Sequence, residues 1–456
     1  MTLQSSPMTP SLKQPPVVKG GLPYLGNALS MRIDPLRYFV NLYKEYGPVF
    51  QITVLGVPYT VMAGIDANRF LARQGDEHLG SENLFGGLAR EMGSDAMLVA
   101  LDGPPHRHQR KVQRRAYSRE MIQTHLSQVI EITEGFSSQW TPGSVLPLFP
   151  TMQRIVTDHL GMLIGGRTCG DYFDDLWVLL NTNMKVHILK SHPKFYLRLP
   201  RYVRARERAL AFGREVVEWH KANPPVNREP NLVDDLLNAV DENGQPYSEG
   251  MILASITGAY FAGMDTVAST ASFMLYSVLK VPGLLERIRS EVDEAFASGG
   301  LTPEKLRGMD VLHNTAMETL RMYPVAPFTP RTVTKAFDFE GYHFPVGTEV
   351  YVANGVPHYL PEFFVNPEVF DVDRYSRPDY QKVPQAFAPF TLGAHTCLGA
   401  GMAEVQLMTL IATLVHNVDI TLEHPDTDVT IYAMPVPSPG RKFAFKVIGQ
   451  REPVKV

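Results

Sequence analysis

The 456-residue sequence predicts a mainly α chain with a smaller β-rich part, and three observations carry that reading. The run from Ser248 to Lys280 is apolar almost throughout, with Asp265 the only charge between Met251 and Leu279. Apolar residues recur at helical spacing in many segments before and after it. Runs of β-branched and aromatic residues, by contrast, are short and few.

In chain order, Leu36, Phe39, Val40, Leu42 and Tyr43 put an apolar stripe on a helix from Pro35 to Tyr46, stopped by Gly47. Residues 49–55 and 59–62 read as two strands joined through Gly56-Val57-Pro58. From Gly75 to Pro105 the text is irregular and glycine-rich, as in a long functional loop. Residues 106–115 read as a short basic helix, and Arg119 to Trp140, Phe149 to Ile164 and Tyr172 to Leu189 as scaffold helices. Ser248 is the N-cap of the central helix, about 50 Å long at ~1.5 Å per residue, with Pro282 beyond its end. Helices follow at Leu284 to Ala297, Leu312 to Met322 and Met402 to Val415, and strands at His343 to Val352 and Phe443 to Ile448.

Residues 1–21, rich in Ser, Pro and Lys, are expected to be a disordered tail, and residues 22–456 a single domain. No secretory or membrane-anchoring run is found in the tail, so no transmembrane anchor is expected; the apolar run 251–279 holds an acid, two glycines and many Ser and Thr, as a buried core helix does. A net charge of −4 gives no argument for nucleic acid. Two distant cysteines, Cys169 and Cys397, exclude a disulfide scaffold and fit a cytoplasmic protein.

Four constellations carry chemistry. Cys397 sits in Pro389-Phe390-Thr391-Leu392-Gly393-Ala394-His395-Thr396-Cys397-Leu398-Gly399, a loop that runs into an apolar helix. A lone cysteine is commonly a small buried hydrophobe, but a thiolate is also a strongly donating ligand that suits haem iron. His106 and Arg110 are four apart and reach one anion together. Asp265 is an acid in an apolar helix, which needs a reason, and Thr266 beside it either bonds back one turn or holds a water. Glu318 and Arg321 share a helix face.

The pattern Phe390-x-x-Gly393-x-His395-x-Cys397-x-Gly399 resembles the signature of the cytochrome P-450 superfamily, the haem-thiolate monooxygenases, in a soluble bacterial-type member. Thr391, where many members carry a second glycine, and Gln406, where the next helix often carries glutamate, depart from it. The order His106/Arg110, Ala262-Gly263-Met264-Asp265-Thr266, Glu318-x-x-Arg321, Arg331, Arg374 and Cys397 extends the resemblance over nearly the whole chain.

The resemblance implies a triangular helical domain with a long central helix and one haem b. It makes Cys397 the metal ligand, with Phe390 and Gly399 beside it. His106, Arg110, Arg331 and His395 then face the propionates. Asp265 and Thr266 relay protons, and Gly263 leaves room for oxygen. Glu318, Arg321 and Arg374 form a folding lock. Leu84, Phe85, Ala262, Val325, Ala326, Phe328 and Met434 are expected to line a substrate pocket. The implied reaction inserts one atom of O2 into a lipophilic small molecule, with NAD(P)H electrons arriving through a separate reductase and an acidic ferredoxin or flavodoxin. That partner would dock on Arg107, Lys111, Arg114 and Arg115. A peroxide-using or peroxide-isomerising haem-thiolate enzyme is the alternative, and a non-enzymatic haem sensor a further one. Residues 190–208, greasy and basic, read as a surface loop or as a lid.

Overall fold

The central helix, Glu249–Lys280, is the longest element of the computed structural model, which describes residues 13–94, 97–226, 228–378 and 380–451. Ser248 Oγ accepts from the Met251 amide at 3.2 Å, the N-cap expected. The helix packs along Leu148–Gly165 on one flank and against Asp310–Met322 and Ala400–Asn417 on another. Among the described residues two helices, Glu249–Lys280 and Gly393–Asn417 with its leading turn, are long and apolar enough to cross a membrane, but most of each apolar stretch is buried inside the fold. Their apolarity on every side is that of a core helix.

The β-rich part forms mainly two sheets. In the larger, Val49–Val54, Val57–Ala63, Glu349–Ala353, Thr329–Val333 and Leu79–Gly80 lie side by side in that order. Among these five strands only the pairing of Val57–Ala63 with Glu349–Ala353 is parallel. The smaller sheet orders Val145–Pro147, Ala444–Gln450 and Val418–Leu422. Phe337–Phe339 and Tyr342–Phe344 make a separate hairpin.

Four expectations are corrected. Residues 13–21 are not a free tail: the Val18 amide donates to Gln51 O at 2.9 Å, and the Gln51 amide to Pro16 O at 2.8 Å, so this stretch extends the sheet edge. Residues 1–12 lie outside the described residues. The stretch 75–105 holds the helix Glu82–Glu91 and a short turn at Leu98–Ala100. The segment 119–140 breaks at His125 into Arg119–Thr124 and Leu126–Ser137. The turn of the first hairpin is Leu55-Gly56, both in the left-handed region, which matches the twist of its strands.

Behind the Cys397 loop lies a buried ionic lattice. Arg321 donates to both oxygens of Glu318 at 2.8 and 2.7 Å, and Arg374 Nε to Glu318 Oε1 at 3.2 Å. Tyr375 OH and the Asp371 amide fill the remaining acceptor sites of that carboxylate. Glu318, Arg321 and Arg374 therefore meet in one buried cluster. The lattice reaches the loop through His358, whose Nδ1 bonds Arg321 O at 2.9 Å and whose Nε2 accepts from the Ala388 amide at 2.9 Å. Asn354 Nδ2 holds the carbonyl of the same Ala388 at 3.0 Å. Sequence reading missed both His358 and Asn354.

Candidate active site

One cavity gathers residues from far-apart parts of the chain. His106 and Arg110 reach it from the helix Gly103–Gln113, Ala262, Gly263 and Thr266 from the central helix, and Val325 and Ala326 from the chain after Met322. Phe390, His395, Cys397 and Gly399 close it. Met97, Leu98 and Val99, from the stretch read as irregular, add an apolar wall.

The Cys397 loop is held from below. The Cys397 amide donates to Phe390 O at 2.9 Å. Gly393 is in the left-handed region, and a Cβ there would stand 2.6 Å from the Leu71 carbonyl oxygen, so its lack of a side chain serves packing on the helix Ile65–His78. The Cys397 sulfur is accessible yet set deep in the protein, as expected of a group that faces an internal cavity. Burial pushes its thiol up, opposed by the Gly399 amide and the Arg110 guanidinium. A bound cationic metal reverses that balance, because a coordinating thiol is deprotonated.

On the polar side, His106 and His395 stack with ring centroids 3.9 Å apart. His395 Nε2 stands 3.1 Å from Asp102 Oδ1. Burial, then the neighbouring His395 and Arg110, take His106 down to about 3, so it is neutral, and its buried Nδ1 has no partner among the described residues. Burial acts to raise Asp102, but His395 and the amides of Ser81 and Glu82 outweigh it and hold the carboxyl at about 2. Arg331 is buried next to Asp102, and burial lowers it to about 10. It does not line the cavity itself. An orphaned buried donor or acceptor, two imidazoles and the Arg110 guanidinium on a largely apolar slot, with Arg331 buried by Asp102 and Cys397 in the same slot, fit an amphipathic macrocycle carrying carboxylates.

Thr266 and Asp265 do not face the same space. Thr266 lines this cavity, its Oγ1 donating to Ala262 O at 2.6 Å. Asp265 turns to a second cavity across the central helix, where Gln153 Nε2 donates to it at 2.5 Å and Arg441 stands behind Gln153. Burial raises the Asp265 carboxyl, and Gln153 and Arg441 oppose the rise only in part. Gly263 does not leave a void: a Cβ there would meet Leu160 at 2.8 Å, so the missing side chain admits the neighbouring helix.

Several expected lining residues lie elsewhere. Phe328 packs its ring on Phe39 and Tyr351, 5.2 and 4.8 Å between centroids, in the β-rich part. Met434 lines the second cavity. Leu84 is buried and Phe85 packs against the main core; neither lines the Cys397 cavity. The expected docking patch also shrinks, since Arg107 pairs with Asp76 at 3.0 Å and Arg115 with Asp235 at 2.6 Å. Lys111 and Arg114 make no ion pair among the described residues.

A long central helix thus crosses a cavity that Cys397 lines, and a buried Glu-Arg lattice lies beside it. The model of the cytochrome P450 family matches residues 15–445, and the chain belongs to that family. It is 25% identical over 437 residues to abscisic acid 8'-hydroxylase 4 of Arabidopsis thaliana, covering 93% of this chain and 91% of that one. It is 24% identical to the human lanosterol 14-alpha demethylase, over 90% of this chain and 82% of that one. The cyanobacterial CYP120A1 with retinoic acid bound superposes with a TM-score of 0.83 at 26% identity, covering 97% of this chain and all of the other. A cytochrome P450DA haem domain, at 19% identity and a TM-score of 0.84, shows the same fold. The protein is a monooxygenase that uses haem and O2.

Proposed function

We propose that Cys397 gives the axial thiolate to haem b and that the protein oxygenates a lipophilic small molecule in the cytoplasm. The observation that carries this is one cavity lined by both Cys397 and Thr266. Thiolate-ligated haem supplies O2 activation when bound. His106, Arg110, Arg331 and His395 would hold its propionates, with Asp102 orienting His395. Met97, Leu98, Val99, Ala262, Val325 and Ala326 exclude water and shape the substrate site. The lipophilic ligands in the relatives' names, lanosterol and retinoic acid, support that substrate class.

Proton supply is divided between two faces of one helix. Asp265, raised by burial, takes protons from the second cavity. Thr266 holds a proton at its hydroxyl inside the first. NAD(P)H electrons arrive through a separate reductase and an acidic ferredoxin or flavodoxin, which meets the protein at Lys111 and Arg114. The test is the dithionite-reduced carbon monoxide spectrum: a strongly red-shifted Soret band in the wild type, lost in Cys397→His, is expected. An unchanged band in that variant removes Cys397 from the role. Thr266→Ala should consume NAD(P)H with peroxide release and little product; fully coupled turnover refutes the relay. Turnover with peroxide alone, in the absence of O2 and reductase, would favour the peroxide-using alternative.

A further inference from the structure

Between the helix Phe173–Asn183 and the start of the helix Pro200–Ala222 lies a third cavity, of about 430 Å³. The guanidiniums of Arg201, Arg204 and Arg441 line it. The side chains of Arg201 and Arg204 make no ion pair or hydrogen bond among the described residues. Both stand in the first two turns of a helix whose first turn carries no acid, and a helix dipole disfavours cations at that end. Arg441 lies over the Trp177 ring, 5.1 Å from its centroid. Its Nη1 reaches Gln153 Oε1 at 3.4 Å, a long bond that leaves a five-donor group able to serve another acceptor. The negative side is smaller. Asp174 and Asp175 also line the cavity, but Asp175 is paired with Arg208 at 2.6 Å. Three guanidiniums thus face one unpaired carboxylate, a surplus of two unit charges. Phe173, Val178 and Ala205 add an apolar wall beside them.

We propose that this cavity binds a small soluble organic phosphate, its phosphate group held by Arg201, Arg204 and Arg441. A phosphate monoester carries about two negative charges near neutrality and three strong acceptor oxygens. That matches both the charge surplus and three planar forks, each able to take two oxygens. A single carboxylate would leave one charge unmatched. An extended polyanion such as nucleic acid has no counterpart in a concave site on a chain of net charge −4. The organic part of the ligand packs on Phe173, Val178 and Ala205. None of these residues lines the Cys397 cavity, so the ligand is distinct from the molecule that is oxygenated.

The test uses the full haem-loaded chain and reads binding, not turnover, so its failure is separate from failure of the oxygenase reading. Isothermal titration calorimetry is run at fixed ionic strength with phenyl phosphate, inorganic phosphate and benzoate. Saturable binding of phenyl phosphate is expected, tighter than that of inorganic phosphate and at least about tenfold tighter than that of benzoate. The double variant Arg201→Gln/Arg204→Gln should bind phenyl phosphate on the order of a hundredfold more weakly, at roughly tenfold per charge-assisted contact. Arg198→Gln removes an exposed cation that does not line the cavity and should bind as the wild type does. The Soret band should not move on binding. A carbon monoxide spectrum like that of the wild type checks that each variant is folded. No saturable binding, equal binding of benzoate, or an unaffected double variant overturns the proposal. So does an Arg198→Gln loss as large as that of the double variant, which would mean diffuse surface attraction. Phenyl phosphate that binds no tighter than inorganic phosphate would mean an adventitious ion only, and a Soret shift would place the probe in the Cys397 cavity; either result overturns the proposal.

Discussion

Two carboxylates, the buried Glu318 and the half-buried Asp265, show how differently one fold treats the same group. Glu318 is fully enclosed and its oxygens accept from Arg321, Arg374, Tyr375 and the Asp371 amide. Asp265 accepts from the neutral amide of Gln153, with its nearest cation one residue further off. A saturated carboxylate is fixed in place by its partners and holds structure. An undersatisfied one keeps a raised affinity for protons, and its protonation can change during a reaction cycle.

The sharpest break of this comparison is Arg321→Ala. It leaves Glu318 buried beside Arg374 alone and exposes the His358 and Pro367 carbonyls that Arg321 serves. Stripping one partner from a buried pair costs about 3–5 kcal/mol. Because the same lattice reaches Ala388 through His358, we expect low yield of haem-loaded protein and a collapsed melting temperature. A well-folded variant at wild-type yield would mean that Arg374 suffices. Tyr375→Phe removes a single bond to the charged acceptor, worth about 1.5–3 kcal/mol, and should lower the denaturant midpoint while leaving the haem spectrum intact.

Asp265→Asn tests the other member. The carboxyl is raised in the fold, so its proton favours the folded state below the unfolded carboxylate range near pH ~4. That contribution is lost as pH rises through the higher folded value. Wild type should therefore lose stability relative to Asp265→Asn between about pH 4 and neutrality, as measured by urea midpoints at successive pH values. A pH-independent difference would show that Asp265 titrates as it does in the unfolded chain. Turnover of Asp265→Asn should fall with little rise in peroxide, in contrast to Thr266→Ala, since the hydroxyl on the first cavity is untouched.

Much of the fold was legible because the long apolar helix, its cap and its neighbours repeat a physical period over many residues. The lattice was legible only through the family resemblance, which implied that Arg374 joins Glu318 and Arg321; a Glu and an Arg one turn apart are common on any helix surface. Direction was not legible. Asp265 and Thr266 are adjacent in sequence, but adjacent helical residues point about 100° apart, and nothing local says that Gln153 and Arg441 wait on one side. Phe328 and Met434 look like pocket residues by type, yet the rings of Phe39 and Tyr351 claim one and the second cavity the other. Asp102, His358 and Asn354 act through bonds to residues far along the chain, which no periodicity or spacing records.

The smallest effect concerns Thr391, the position where the cysteine loop departs from the common pattern. Its φ of 55° lies in the left-handed region, where a side chain costs about 1 kcal/mol and glycine nothing. Its Oγ1 lies 3.0 Å from Thr329 Oγ1, which itself donates to Asn354 Oδ1 at 2.9 Å. Thr391 thus completes a chain of hydrogen bonds that ends on the residue holding Ala388. Relief of the backbone and loss of one hydrogen bond, at about 0.5–1.5 kcal/mol, oppose each other. Thr391→Gly should therefore leave the melting temperature nearly unchanged, with a denaturant midpoint that shifts by less than about 1 kcal/mol in free energy. A clear gain in stability would mean that the hydroxyl chain contributes nothing to the cysteine loop. A clear loss would make it a second support for that loop, beside the Glu318 lattice.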